Sequence, residues 1–225
     1  MLFRSAARVN ASWGQPFEMV KPGASYKQYP CCYSTHAAIE AALTLTRKHG
    51  AFDAATIAKV ETGTPALGLS YTKRPQPQSD LDAKFSVQYC VTRALTESKV
   101  VLEYFENEAF KQRVPQCLLP RVHSQLYTGQ MFDPVDLFDA ELRLTLTDGH
   151  VFQAKVDRPL GCTSDIPIPF DQPKAKYEDC AGRVLTRDVV ARSLPVIDCA
   201  KKECSVSDLS EVIESGVLHE SGFSF

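Results

Sequence analysis

The sequence predicts an α+β fold, a two-layer α/β sandwich followed by a helical C-terminal extension, and three observations carry that reading. First, Ala140, Leu142, Leu144 and Leu146 alternate with Glu141, Arg143, Thr145 and Thr147, and after Asp148-Gly149 the alternation resumes through His150, Phe152, Ala154 and Val156. A period of two gives a strand one buried face, and Asp-Gly supplies the positive φ values of a tight turn, so this segment is a β-hairpin. Second, apolar residues recur at helical spacing at Ile39, Ala42 and Leu43, and again at Leu81, Phe85, Tyr89 and Leu95 with Thr92. Third, the order helix, strand, helix, hairpin, helices suits helices laid on one face of a sheet.

The elements follow in order. Residues 1–23 read as an irregular N-terminal connection, punctuated by Pro16, Pro22 and Gly23. The two-layer domain is expected over 24–160. It opens with a helix from about Cys32 to Lys48, capped by Ser34 or Thr35 and stopped by Gly50. Thr56 to Thr62 reads as a short strand, and GTPALGLSYTKRPQPQSD as a loop rich in Gly, Pro and Ser. A second helix is expected over LDAKFSVQYCVTRALTE, with Asp80 as its cap, and one or two short helices over 101–118, interrupted at Pro115. GCTSDIPIPFDQP breaks the pattern before a helical segment over 161–225. There Lys174 to Ser193 is expected to be helical with Tyr177, Ala181, Val184 and Leu185 on one side, and Asp208 and Glu211 open a last helix through Ile213.

Composition sets the outer bounds. The chain has 225 residues, 44% hydrophobic and 23% charged, which is ordinary for a globular protein. A net charge of −2 gives no electrostatic reason to expect nucleic acid or an anionic membrane as a partner. No apolar run approaches the ~18 residues of a membrane-spanning helix. The eight cysteines form no CxxC pair and no paired spacing, so neither a zinc site nor a disulfide framework is expected, and most are read as small buried apolar residues. A cytoplasmic location is the expectation. A mitochondrial one is the alternative, since Arg4 and Arg8 sit among Ser and Ala with no acid before Glu18.

The chemistry-bearing residues gather at one helix entrance, KQYPCCYSTH. Lys27 stands a few residues before the helix, where its ammonium joins the helix N-terminus in attracting an anion; a solvated surface lysine is the alternative. His36 lies on the apolar stripe with Glu40 one turn on, which suits either acid–base work or a hydrogen-bonded core histidine. Cys32, His36 and Glu40 mimic a nucleophile–base–orienter series, but a straight helix points all three the same way, and a thiol nucleophile is not favoured. Ser86 and Tyr89 share a face of the second helix, where a phenol suits proton donation or simple core packing. Lys84 and Arg93 are read as solvated, and His123, His150 and His219 as structural or surface residues. No GxGxxG or P-loop pattern occurs.

Several of these segments resemble the C-terminal half of the MmgE/PrpD family, which includes 2-methylcitrate dehydratase and cis-aconitate decarboxylase. They are PGASYKQYPCCYSTHAAIEAALTL, RPQPQSDLDAKFSVQYCVTRAL, the hairpin LTLTDGHVFQAKVDRPLG and PKAKYEDCAGRVL. The resemblance implies a lid-type α/β domain whose C-terminal segment returns to a helical N-terminal domain, and a homodimer. It implies a lyase of the 2-methylcitrate dehydratase type, working without metal or organic cofactor. The substrate is a small di- or tricarboxylic acid, a proton is abstracted next to a carboxylate, and elimination follows. Decarboxylation and epimerisation are the family's other outcomes. By the same resemblance Lys27 matches the lysine of K-x-[YF]-P at the active site, and His36 a histidine of the motif. Ser86 and Tyr89 match [FS]-x-x-Y at the site's border, and Cys32 stands where several members have a substrate-proximal histidine. The lyase is expected to be incomplete without the helical domain; the alternative reading is a non-catalytic lid fragment acting in association only.

Overall fold

The hairpin forms where the alternation places it. The computed structural model describes residues 17, 19–126, 139–163, 166–199 and 205–217. Its strands are β1 (Ile57–Thr64), β2 (Val122–Leu126), β3 (Ala140–Leu146) and β4 (Val151–Val156). They make one mixed sheet in the order β2-β1-β3-β4, with β1 parallel to β2 and antiparallel to β3. In β3, Ala140, Leu142 and Leu144 are buried while Glu141 and Arg143 are exposed, and Leu142 faces Ala154 of β4 across the pair. Gly149 holds φ at 90° in the connecting turn. Strand β2 was not expected. Its inward positions are Val122 and Ser124, so it shows no apolar alternation.

Two helices cover one face of this sheet. A 3-10 turn at Tyr33–Thr35 leads into α1 (His36–His49), which ends at Gly50 with φ at 83°. Thr35 stands at the N-cap, but its hydroxyl donates back to Cys32 O at 2.8 Å instead of capping the helix. GTPALGLSYT is not all loop. Residues Ala66–Thr72 form α2 behind Pro65, and a side chain at Gly68 would press on Ser34. The expected second helix is two helices, α3 (Asp80–Lys84) and α4 (Val87–Glu97). Ser79, not Asp80, caps α3, and Ser86 caps α4 by accepting from Tyr89 N at 3.1 Å. The extended backbone of Ser86 (φ −101°, ψ 106°) is what divides them. Leu81 is consequently off the stripe, 66% exposed. Pro115 does not interrupt a helix; it sits in the first turn of α5 (Arg113–Leu118), where its missing N–H costs nothing. Helix α1 packs against α4 and over β3 and β4, and α4 covers β2.

The chain divides into two compact units, Met1–Pro167 and Ile168–Phe225. The second holds α6 (Asp171–Ala181), α7 (Arg187–Cys199) and α8 (Val206–Glu214) around Ala181, Leu185, Val189 and Val190. The single helix expected over Lys174–Ser193 is therefore broken. Gly182 to Val184 form a turn that leaves Val184 exposed, and Thr186 Oγ1 accepts from Val189 N to start α7. Ser205 caps α8, and Asp208 in its first turn completes the capping box. Arg4, Arg8, Pro16, Cys204 and His219, which the sequence reading used, lie outside the described residues.

The sheet core gives a direct test. Leu144→Ala should lower the unfolding free energy by about 2–5 kcal/mol, because it leaves a cavity under α1. The neighbouring Arg143→Ala should change it by less than about 1 kcal/mol. Urea titrations at an unchanged m value separate the two.

Candidate active site

The N-terminal ends of α1 and α4 lie side by side. Cys32 N donates to Lys84 O at 2.8 Å, which ties the entrance of α1 to the α3–α4 junction. The five residues singled out in the sequence sort by exposure at this place. Lys27 is exposed and Cys32 is half-buried, whereas His36, Ser86 and Tyr89 have no accessible surface.

His36 occupies the first turn of a helix buried nearly all round, and aromatic rings close over it. Tyr29 meets it edge-on with ring centroids 5.0 Å apart, and Tyr33 lies at 4.7 Å. Neither ring nitrogen has a hydrogen-bond partner among the protein atoms described. Glu40, one turn on, does not orient it through a hydrogen bond. Glu40 Oε1 accepts from Leu160 N at 2.9 Å and so ties α1 to the segment after β4. Burial pushes the Glu40 carboxyl up, and the Leu160 N–H and the charges of His36 and Arg47 restrain it.

Ser86 and Tyr89 are committed to the fold. Ser86 Oγ donates to Arg74 O at 2.5 Å while accepting from Tyr89 N. Tyr89 Oη donates to Tyr104 O at 2.5 Å and accepts from Arg93 Nε at 3.0 Å. Burial pushes this phenol up, against the pull of Arg93, so it stays protonated at neutral pH. Arg93 is not solvated as expected from the sequence. It is 2% exposed, donates to Ala109 O at 2.9 Å and Gln112 Oε1 at 2.7 Å, and lies 4.5 Å from the Tyr104 ring centroid. His36 and Tyr89 share no hydrogen-bond partner: the Tyr89 hydroxyl is bound to Tyr104 O and Arg93, whereas the His36 ring nitrogens meet none.

Sequence reasoning passed over Cys31 in favour of Cys32. Cys31 Sγ lies 3.2 Å from Thr35 Oγ1, and its acidity is governed by Cys90 on α4 and by His36 as well. Burial pushes this thiol up, but Cys90, then His36 through contact and charge, then Thr35, outweigh it and hold Cys31 well below the ordinary thiol range. Cys90 is pushed the other way by burial and by Cys31. The usable signal was the i, i+4 pair Cys31 and Thr35 at a helix entrance, which adjacency to Cys32 obscured. Among the described residues, no group of three or more His, Cys, Asp or Glu side chains is arranged to hold a metal ion.

The Cys31 environment has a pH consequence. Its folded pKa lies below that of an unfolded thiol, ~8.5. Ionised Cys31 therefore contributes stability that is fully present above the unfolded value and is lost as the pH falls through the lowered folded one. Thiolate absorbance at 240 nm should accordingly be present in the native chain at pH 7, vanish on unfolding in urea at that pH, and be absent from folded Cys31→Ala.

A family model described as the MmgE/PrpD C-terminal domain matches residues 29–202. Among curated proteins, cis-aconitate decarboxylase of Mus musculus is 25% identical over 190 residues, and cis-aconitate decarboxylase of Homo sapiens 24% over 189. Each match covers 81% of this chain and 38% of the relative, so the chain spans well under half the length of the curated relatives it matches. With the family model covering most of the chain, and with the α+β sheet in place, this protein belongs to the MmgE/PrpD family, in the part that forms its C-terminal domain.

Proposed function

We propose that this chain is the C-terminal part of a lyase acting on a small di- or tricarboxylic acid, complete only together with a helical N-terminal domain of the same family, and working as a homodimer. The observation that carries the reading is the exposed Lys27 standing before the α1 entrance, in a motif whose neighbours Tyr29, Cys31 and His36 are buried and packed together. An ammonium there holds a substrate carboxylate and stabilises the charge that develops when the adjacent C–H loses its proton. Cys32, half-buried in the same motif, is assigned to substrate binding with it.

In the finer reading the reaction is a dehydration of the 2-methylcitrate type. A base takes the proton next to the carboxylate, the carbon–oxygen bond to a hydroxyl breaks, and an acid returns a proton to release water. His36 is the base and Tyr89 the acid, with Ser86 holding the end of α4. Tyr89 carries a proton to give, but that proton lies on Tyr104 O, so donation requires the hydroxyl to turn off this carbonyl. The names of the two relatives favour a variant in which the carbon–carbon bond to a carboxylate breaks instead. The opposing reading is a non-catalytic lid fragment that serves association alone, and the complete burial of His36, Ser86 and Tyr89 favours it.

Carbon–hydrogen exchange in D2O, followed by NMR on 2-methylcitrate, citrate and cis-aconitate, tests the reading with the chain alone and with a family helical domain added. Exchange or elimination should appear with the added domain. In Lys27→Ala it should fall by about 100-fold or more, with circular dichroism and Tm unchanged, since Lys27 is exposed. Equal turnover by Lys27→Ala would remove the proposed carboxylate anchor, and silence from the well-folded pair on every acid would favour the lid fragment.

A further inference from the structure

The backbone that leads into Lys27 is fastened to the loop after β4, and that loop is fastened in turn to a buried side chain of α1. Tyr26 N donates to Gly161 O at 2.8 Å, and Ser25 Oγ donates to Cys162 O at 2.7 Å. Two successive residues are thus held on two successive carbonyls immediately ahead of Lys27. The loop is tightly turned. Cys162 N donates to Pro159 O at 3.1 Å, Gly161 N donates to Ile166 O at 2.9 Å, and Gly161 takes a φ of 73°, which favours glycine. Its tie to the helix layer is Leu160 N, which donates to Glu40 Oε1 at 2.9 Å. Glu40 is 6% exposed and sits early in α1, a helix packed against α4 and over the sheet. A carboxylate in such a place is costly unless it is bonded, and the proposed reaction gives it no part.

We propose that Glu40 is a positioning residue for the substrate site: its side chain fixes the loop over 159–162, and the loop fixes Ser25 and Tyr26 so that Lys27 is presented ahead of α1. The proposal rests on the reading of Lys27 as the carboxylate anchor. A lysine is a point charge on a flexible stem, so the reach of its ammonium is set first by where its backbone is held. The other end of the motif is fastened separately, by the buried Tyr29 and by Cys32 N on Lys84 O. Lys27 therefore stands between two fixed points, one that belongs to the α3–α4 junction and one that depends on Glu40. A misplaced cation costs rate even when it still reaches the substrate, because it must already be in place where charge develops. What the loop requires of Glu40 is an acceptor at Oε1 rather than a charge.

The test compares Glu40→Ala, Glu40→Gln and Gly161→Ala in the full chain. Glutamine keeps an acceptor for Leu160 N and alanine removes it, while Gly161→Ala strains the loop without touching α1 and serves even if Glu40→Ala fails to fold. Amide exchange followed by NMR on the chain alone should be about 10-fold faster or more at Tyr26 in Glu40→Ala and Gly161→Ala, and close to wild type in Glu40→Gln. The amides of Val91 and Leu95 on α4 should not change. Unaltered Tyr26 exchange in both weakened variants would overturn the proposal. Turnover of the acids named above, with the helical domain added, separates positioning from a general loss of structure. Glu40→Ala should lower kcat by about 10-fold, and Glu40→Gln should restore it. In a Lys27→Ala background Glu40→Ala should have no further effect, since both act through one anchor. Equal losses with and without Lys27 would make Glu40 merely structural and overturn the positioning role. Turnover indifferent to Lys27, or absent, would remove the anchor reading and the positioning role with it, and faster Tyr26 exchange would then mark that failure as one of the anchor and not of the loop.

Discussion

The burial of α1 is the constraint on which the rest of the structure depends. Ala37, Ala38, Ile39, Ala41 and Ala42 are all at most 3% exposed, which is possible only because α1 meets α4 on one side and β3 and β4 beneath. Four alanines in that run let neighbouring backbones approach closely, and a helix apolar all round belongs inside. The consequence reaches the candidate site. His36 opens this helix, so it inherits the helix's burial, and the rings of Tyr29 and Tyr33 finish the enclosure. The same wedge forces Glu40 to be satisfied by Leu160 N, because an unpaired carboxylate there would be costly.

The polar groups on α4 answer the same problem in a second way. Arg93 enters the interior as a cation, and its fork is met by Tyr89 Oη, Ala109 O and Gln112 Oε1, with the Tyr104 ring beneath it. Removing one partner would leave a buried charge, so the network is rigid by necessity. This is why the Tyr89 hydroxyl is held on Tyr104 O. Bonds that stabilise the helix layer thus occupy a hydroxyl that a motif reading would assign to a substrate.

The parts of the fold legible in the sequence are those set by period and turn chemistry. The hairpin shows both, and α1 ends at Gly50 because only a residue tolerant of positive φ continues the chain there. What was not legible depended on side chains bonding to their own backbone. Ser86 and Thr186 divide stretches whose apolar period runs on unbroken, and no period records a serine's hydrogen bond. Strand β2 was hidden because it is recruited by β1 through backbone pairing, with Val122 facing Val60. At the site, Lys27 was legible as an exposed cation before a helix. Arg93 was not, since burial of an arginine depends on partners from residues 104–112 that sequence spacing does not bring near it.

The motif KQYPCCYSTH therefore performs two tasks that its spelling does not separate. Tyr29, Cys31, Thr35 and His36 face inward and pack the junction with α4, while Lys27 and Cys32 remain toward the surface. The Thr35 hydroxyl shows how finely the inner set is balanced. It has one proton, which either rests on Cys32 O and leaves Oγ1 to accept from the Cys31 thiol, or turns to the sulfur and solvates a thiolate. The bond to Cys32 O ties down the 3-10 turn ahead of α1. A family motif match alone cannot distinguish the residues that meet a ligand from those that hold the entrance in shape. Burial and hydrogen bonding do, and here they leave Lys27 and Cys32 as the residues on the outer side.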